Sequence, residues 1–142
     1  MTNGLDNTHG IVVTETQTTM SGGTQSSSLT LNNNGATFSN AADGNPVQVH
    51  GVADGTSDFD AVNFRQLEKA YAGVASIAAL AAIPAPAVGN RFSIGMGYGN
   101  FERMNAVAIG AKAAITKNIT MTGGVGFCRD NTTVSAGVGW SF

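Results

Sequence analysis

Two histidines, His9 and His50, and one cysteine, Cys128, are the side chains of this 142-residue chain best suited to nucleophilic or metal chemistry. A nucleophile needs a base within hydrogen-bond reach, and a zinc site needs three or four ligands at characteristic spacings. Neither pattern occurs, since each histidine sits beside a turn-forming glycine (Gly10, Gly51) and Cys128 lies far along the chain. No catalytic, metal or cofactor-binding residue is therefore expected, no cofactor is called for, and the chain reads as a non-enzyme. A lone cysteine also excludes an intrachain disulfide framework. It reads as a small wall residue near a rim, with an exposed reactive thiol as the alternative. Lys112 is the one charge within its strand-like run; snorkelling towards a rim is the plainer account, and pairing with a carbonyl or a helix dipole the other. Asn63 falls at a core position of a helical register, where a polar layer sets the register or binds an anion, unless the layer is simply hydrated.

The elements that must hold these residues are unusual in composition. The chain is 42% apolar but only 11% charged, with 19 glycines and a net charge of −2, against roughly 25% charge in an ordinary globular domain. Its length allows one domain or two very small ones, and small Gly-rich units bury too little surface to stand alone. Partners or an unusual solvent are implied. The near-neutral balance argues against nucleic acid as a partner. Residues 1–60 hold six acids and no Lys or Arg, whereas residues 83–142 hold five bases and two acids, so the chain has parts living in different surroundings. Residues 1–10 lack the basic and apolar regions of a secretory signal. A protein acting outside the cytoplasm would then be a piece of a longer precursor. Residues 72–89, mostly Ala and broken by Pro84 and Pro86, fall short of the roughly 20 apolar residues of a membrane-spanning helix.

Three segments follow along the chain. Residues 1–49 read as a β-rich stalk or head module: β-branched residues 11–16, alternation at Leu29 and Leu31, an Asn34-Gly35 turn, then Ala36 and Phe38. Residues 21–28, rich in Gly, Ser and Thr, read as a loop. So few large apolar side chains make no core, so the segment is floppy or several copies pool their faces. A helix is expected over residues 61–82, with Ser57 and Asp58 offering N-cap oxygens and Asp60 adding charge at the positive end. Leu67, Ala70, Val74, Ile77 and Ala81 form a heptad seam. Its other face is almost all small, including Gly73, Ala75, Ser76, Ala78, Ala79 and Ala82, where a solvated helix would place Lys and Glu. This helix is thus enclosed by something that approaches closely. A linker, 83–91, ends it at Pro84 and Pro86.

Residues 92–142 carry the clearest pattern. Phe92, Ile94, Met96 and Tyr98 alternate with Ser93, Gly95, Gly97 and Gly99, and the alternation recurs three more times, separated by short turns at 116–118 and 129–131. That is an antiparallel four-stranded meander. The second face, including Gly95, Gly97, Gly110, Lys112, Gly124, Gly126, Gly137 and Gly139, is too small and uncharged for a solvated sheet. Aromatics and charges gather at strand ends. A transmembrane sheet is the favoured reading over one sheet of a β-sandwich. Four strands leave open edges, which lipid does not tolerate, so copies must close a barrel: eight strands from a dimer or twelve from a trimer. Three seamed helices fit a twelve-stranded lumen, which selects the homotrimer, mainly β with one helix per chain and a three-helix coiled coil in the lumen.

Two stretches resemble the trimeric autotransporter adhesins, the YadA-like family of type Vc secretion in Gram-negative outer membranes. HGVADGTSDFDAVNFRQL (50–67) resembles the family neck (50–60) leading into the coil, with Asp60, Ala61, Val62, Asn63, Gln66 and Leu67 as matching residues; VGNRFSIGMGYGN, AVAIGAKA and GVGWSF resemble the membrane anchor. The resemblance implies a bacterial outer-membrane location with the N-terminal part on the cell surface, and a translocator that exports and tethers its own passenger. Implied partners are outer-membrane lipid, the barrel assembly machinery reading Trp140 and Phe142, and a host or surface ligand bound by the missing passenger, with adhesion and virulence as the biological setting. On this scheme residues 100–105 and 129–131 are surface loops and 116–118 a periplasmic turn. A phage-fibre-like structural trimer without a membrane part is the alternative, and the apolar Ile94, Ile109, Val125 and Val138 speak against it.

Overall fold

In the computed structural model, residues 2–3 and 9–142 are described. The chain divides into two units, Met1–Val52 and Ala53–Phe142. The first is an antiparallel meander of β1 (Thr2–Asn3), β2 (His9–Val13), β3 (Gln17–Gly22), β4 (Ser27–Asn32) and β5 (Gly35–Asn40), in sequence order. The Asn34-Gly35 signal does set the β4–β5 hairpin, with Asn32 opposite Gly35 and φ +113° at Gly35. Two expectations change here. Residues 14–16 are β-branched or acidic yet form a turn, because the Thr14 hydroxyl donates to the Gln17 carbonyl and accepts from the Gln17 amide, both at 3.1 Å. The loop expected over 21–28 shrinks to 23–26, its flanks joining β3 and β4 through pairs such as Ser21 opposite Ser28.

The second unit is one helix on one sheet. Helix α1 spans Phe64–Ala81, not 61–82. Asn63 is its N-cap: the side chain accepts the Gln66 amide at 3.0 Å, and Gln66 reaches back to the Asn63 amide in a capping box. Ser57, Asp58 and Asp60 therefore do not cap it, and Ala61 and Val62 precede it. The cap also occupies the Asn63 side chain that a polar coiled-coil layer would have used. Strands β6 (Phe92–Phe101), β7 (Met104–Ala114), β8 (Ile119–Cys128) and β9 (Asn131–Trp140) follow as a meander in that order. The loop expected over 100–105 is a two-residue turn, Glu102 and Arg103 at φ +46° and +66°, with Asn100 opposite Asn105 and Phe101 opposite Met104 inside the ladder. Both turn residues in the left-handed region suit the tight hairpin geometry that matches strand twist. Asn131 likewise belongs to β9, leaving Arg129 and Asp130 as the turn.

The register keeps the two faces in phase across all four strands. One row reads Met96, Ile109, Val125, Val134 and the neighbouring row Gly95, Gly110, Gly124, Ser135. On the apolar face Ile94 is 72% and Val134 73% exposed. The small face is covered by α1, and the core of the unit lies between them: Ala72, Ala75, Ala79, Ile83, Met104, Ala106, Ala108 and Cys128. Among the described residues no helix is long and apolar enough to cross a membrane, which leaves crossing by strands open.

Candidate functional site

The interface of α1 with the small face is built to a tolerance of one methyl group. Ala75, Ser76 and Ala79 are fully buried there, and the Ser76 hydroxyl is satisfied by donating to the Ala72 carbonyl at 2.9 Å. A Cβ at Gly97 would overlap the Ala79 carbonyl and one at Gly99 the Ala75 carbonyl. At Gly110 it would lie 2.8 Å from Ile83 Cδ1, at Gly124 2.8 Å from Leu80 Cδ2, at Gly126 3.0 Å from the Ser76 carbonyl, and at Gly95 2.9 Å from Pro84 Cδ. Real carbon contacts are longer than most of these, so these positions of the sheet must be glycine, while Ala106, Ala108 and Cys128 fill the rest of the covered face. Gly137 and Gly139 face the same way, but a Cβ there would meet only Thr122 and Thr120 of the neighbouring strand. Beside them, a hollow of about 630 Å³ opens between linker residues such as Pro86 and Val88 and Lys112, Thr120 and Thr122.

The other helical face is bare. Leu67, Ala70, Val74, Ile77 and Ala81 are all exposed, with Ile77 at 59%. Of the small residues singled out in the sequence, Ala78 is exposed and its Cβ lies near Gly99, while Gly73 is half-buried and Ala82, the C-cap, is exposed. Ala72, another of the small residues off the seam, is a contact residue at 1% exposure. With Ala75, Ser76, Ala79 and Ile83 it makes the i, i+3, i+4, i+7 stripe of a packed helix face. Tyr71, also off the seam, sets its ring edge-on to Phe101 with centroids 5.4 Å apart, a contact that no local sequence pattern reports.

Each end of the helix is tied to the sheet. Near the N-terminal end, Glu68 and Arg129 approach to 3.5 Å across a largely exposed gap, a pair of small energetic weight. At the other end Lys112 Nζ donates to the Ile83 carbonyl at 2.7 Å. Lys112 thus pairs with a carbonyl and does not snorkel to a rim. Ile83 lies two residues beyond the end of α1, so the ammonium also stands near the negative end of the helix. Cys128 is 1% exposed within the core, which excludes the exposed-thiol alternative.

The neck residues form one hydrogen-bonded knot. Asp60 accepts from the Thr56 and Ser57 amides at 2.8 and 2.9 Å. Asp54 accepts from Arg65 and from Asn63, both at 2.7 Å, and the Gln66 amide group bonds both backbone groups of Gly55 at 3.0 Å. These contacts hold both carboxyls below the usual aspartate range, Asp54 through Arg65 and then Asn63, Asp60 through the Thr56 and then the Ser57 amide. Among the described residues no group of three or more His, Cys, Asp or Glu could hold a metal.

A glycine-faced sheet covered by an alanine-faced helix, with apolar side chains turned outwards, has the make-up of a strand-built membrane anchor. The comparison with known families agrees: residues 84–142 match the YadA-like membrane anchor domain, and residues 48–82 match the coiled stalk of trimeric autotransporter adhesin. The chain belongs to the trimeric autotransporter adhesins and comprises their membrane anchor and stalk. This anchor family sits in the bacterial outer membrane, works as a translocator and anchor without enzymatic activity, and implies a homotrimer.

Proposed function

We propose that three copies of this chain close one twelve-stranded barrel, four strands from each, with their three α1 helices seamed at Leu67, Ala70, Val74, Ile77 and Ala81 inside the lumen. The observation that carries this reading is the single-chain sheet itself: β6 and β9 are both open edges, the outer face is apolar, and the inner face is already fitted to a helix. Strands of 10 to 11 residues run about 33 Å. At a tilt of about 45° they rise about 24 Å, close to the roughly 25 Å apolar band of such barrels. The hollow beside Gly137 and Gly139 is then lumen that the chain's own helix leaves for a neighbour.

In this arrangement the turns at 102–103 and 129–130 face the cell surface with the start of α1, and residues 115–118 and 83–91 face the periplasm. Gly73, Ala75, Ser76, Ala78, Ala79 and Ala82 line the passage through which an N-terminal passenger is exported, and the helices plug it afterwards. The neck, Asp60 to Gln66, holds the coil at the mouth, residues 1–49 stand on the surface as a head or stalk module, and Trp140 with Phe142 serve as the signal for the barrel assembly machinery. Passenger adhesion to a host or other surface completes the role.

Detergent-extracted protein run unboiled and boiled on a denaturing gel tests this reading. A band at three chain masses that collapses to one on boiling is expected; a monomer that stays soluble without detergent would sink it.

A further inference from the structure

Charge divides the four-stranded sheet by strand end. The turns at 102–103 and 129–130 pair a base with an acid each, and Glu102 and Asp130 are the only acidic side chains after Glu68. The opposite end holds Arg91, Lys112 and Lys117 and no acidic side chain. The Arg91 carbonyl accepts the Ala114 amide at 2.7 Å, which carries the β6–β7 ladder one residue past Phe92. Phe92 belongs to the outer row, so strand alternation places Arg91 on the inner face. That face also carries Lys112, opposite Ser93 and Thr122. Lys117 stands in the turn between β7 and β8. Arg91 and Lys117 are exposed, and among the described residues neither enters an ion pair. Beyond them towards the other end, the inner face of the strands carries no charge other than Lys112.

The opposite charge is carried by the same chain. Residues 1–60 hold six acids, Asp6, Glu15, Asp43, Asp54, Asp58 and Asp60, and no Lys or Arg. This is the part that the export reading sends through the lumen. A segment of one sign approaching a mouth ringed by the other is steered into it, and low-dielectric walls focus the field there. A basic segment would be repelled at the same place. We propose that Arg91 and Lys117, with Lys112 behind them, form a cationic collar at the periplasmic mouth that recognises acidic, unfolded polypeptide, its substrate being residues 1–60 of the chain itself in transit. The collar captures, and the lumen beyond it offers no second ring of charge to hold the segment back. When α1 is in place Lys112 is taken up by the Ile83 carbonyl, while Arg91 and Lys117 stay exposed. The inference rests on the export reading and goes beyond it by naming the chemistry that the mouth accepts.

Pulse-labelled cells making the full-length protein, sampled over time with protease added outside, report how fast residues 1–60 reach the surface. Arg91→Gln with Lys117→Gln is expected to slow export by about tenfold, the lower end of what steering contributes to an encounter, while the unboiled trimer band forms as before. Glu15→Lys with Asp43→Lys, which leaves the anchor untouched, is expected to slow it as well. Joining that passenger to an Arg91→Glu, Lys117→Glu mouth should restore the rate, and Arg103→Gln at the other end should change nothing. Export indifferent to both sets of charges would overturn the proposal and leave Arg91 and Lys117 to anionic lipid headgroups; so would slowing that the charge swap does not rescue. If a mouth variant fails to assemble, the passenger variant decides alone, and unchanged export of it overturns the proposal. Absence of the trimer band from the unaltered protein would instead mark failure of the barrel on which the inference rests.

Discussion

At Gly97 the backbone of β6 and the carbonyl of Ala79 leave no room for a single carbon. Overpacking a fitted interface costs about 1–3 kcal/mol even when neighbours can shift, and here the obstacle is backbone, which yields least. Gly97→Val is expected to abolish the heat-labile trimer, whereas Gly123→Ala, on the outer face with its nearest contact at 3.7 Å, should leave the dissociation temperature unchanged. Lys112 makes the complementary case. Lys112→Met keeps the volume but leaves the Ile83 carbonyl without its donor, a loss of about 1–3 kcal/mol for a buried acceptor, read as a lower dissociation temperature that Lys112→Arg largely restores. The neck gives a pH dependence of known sign. The Asp60 carboxyl titrates below its unfolded value of about 3.9, so its contribution is complete above that value and disappears as pH falls through the folded one. Protection of the Thr56 and Ser57 amides from hydrogen exchange should therefore drop below pH 4, and Asp60→Asn should remove that acid transition.

At the scale of elements, α1 has one face already committed and one still bare, and substitutions should separate them. Ala79→Leu is expected to disturb the helix against its own sheet, while Ile77→Asp should leave that contact alone and prevent three helices from meeting; trypsin sensitivity of the helix in extracted protein, against trimer yield, distinguishes the two. The alternation of β6 to β9 and the two-sidedness of α1 were legible in the sequence because both are periodic, and period is set by backbone geometry alone. The start of α1 was not. Ser57, Asp58, Asp60 and Asn63 all have capping side chains, and the choice is made by Gln66, whose side chain bonds Gly55 eleven residues earlier. Asn63→Ala should cost about 1 kcal/mol through that cap. The turn at Glu102 and Arg103 was equally hidden, since neither residue announces a left-handed backbone; the ladder on both sides imposes it. Lys112 was visible as an anomaly, but its partner lies 29 residues away, a distance no local pattern reports.

For the whole molecule, the decisive quantity is the number of chains that close the sheet. An antiparallel meander of four strands runs its first and last strands in opposite senses, so β9 of one chain pairs antiparallel with β6 of the next for any number of copies. Strand pairing alone therefore does not choose between eight strands and twelve; the proposal of three helices in the lumen requires twelve. That choice is open to direct measurement. In a Cys128→Ser background, a cysteine at Met96 on β6 is combined in turn with one at Val134, Ala136 or Val138, the outward positions of β9. One of the three pairs should be in register across the subunit boundary, and oxidation should then join every chain to both neighbours. A closed ring of three survives boiling as a covalent trimer and falls to monomer with reductant, whereas either cysteine alone links nothing. A ladder that stops at two chains would mean an eight-stranded barrel, too narrow for the three helices proposed to fill it.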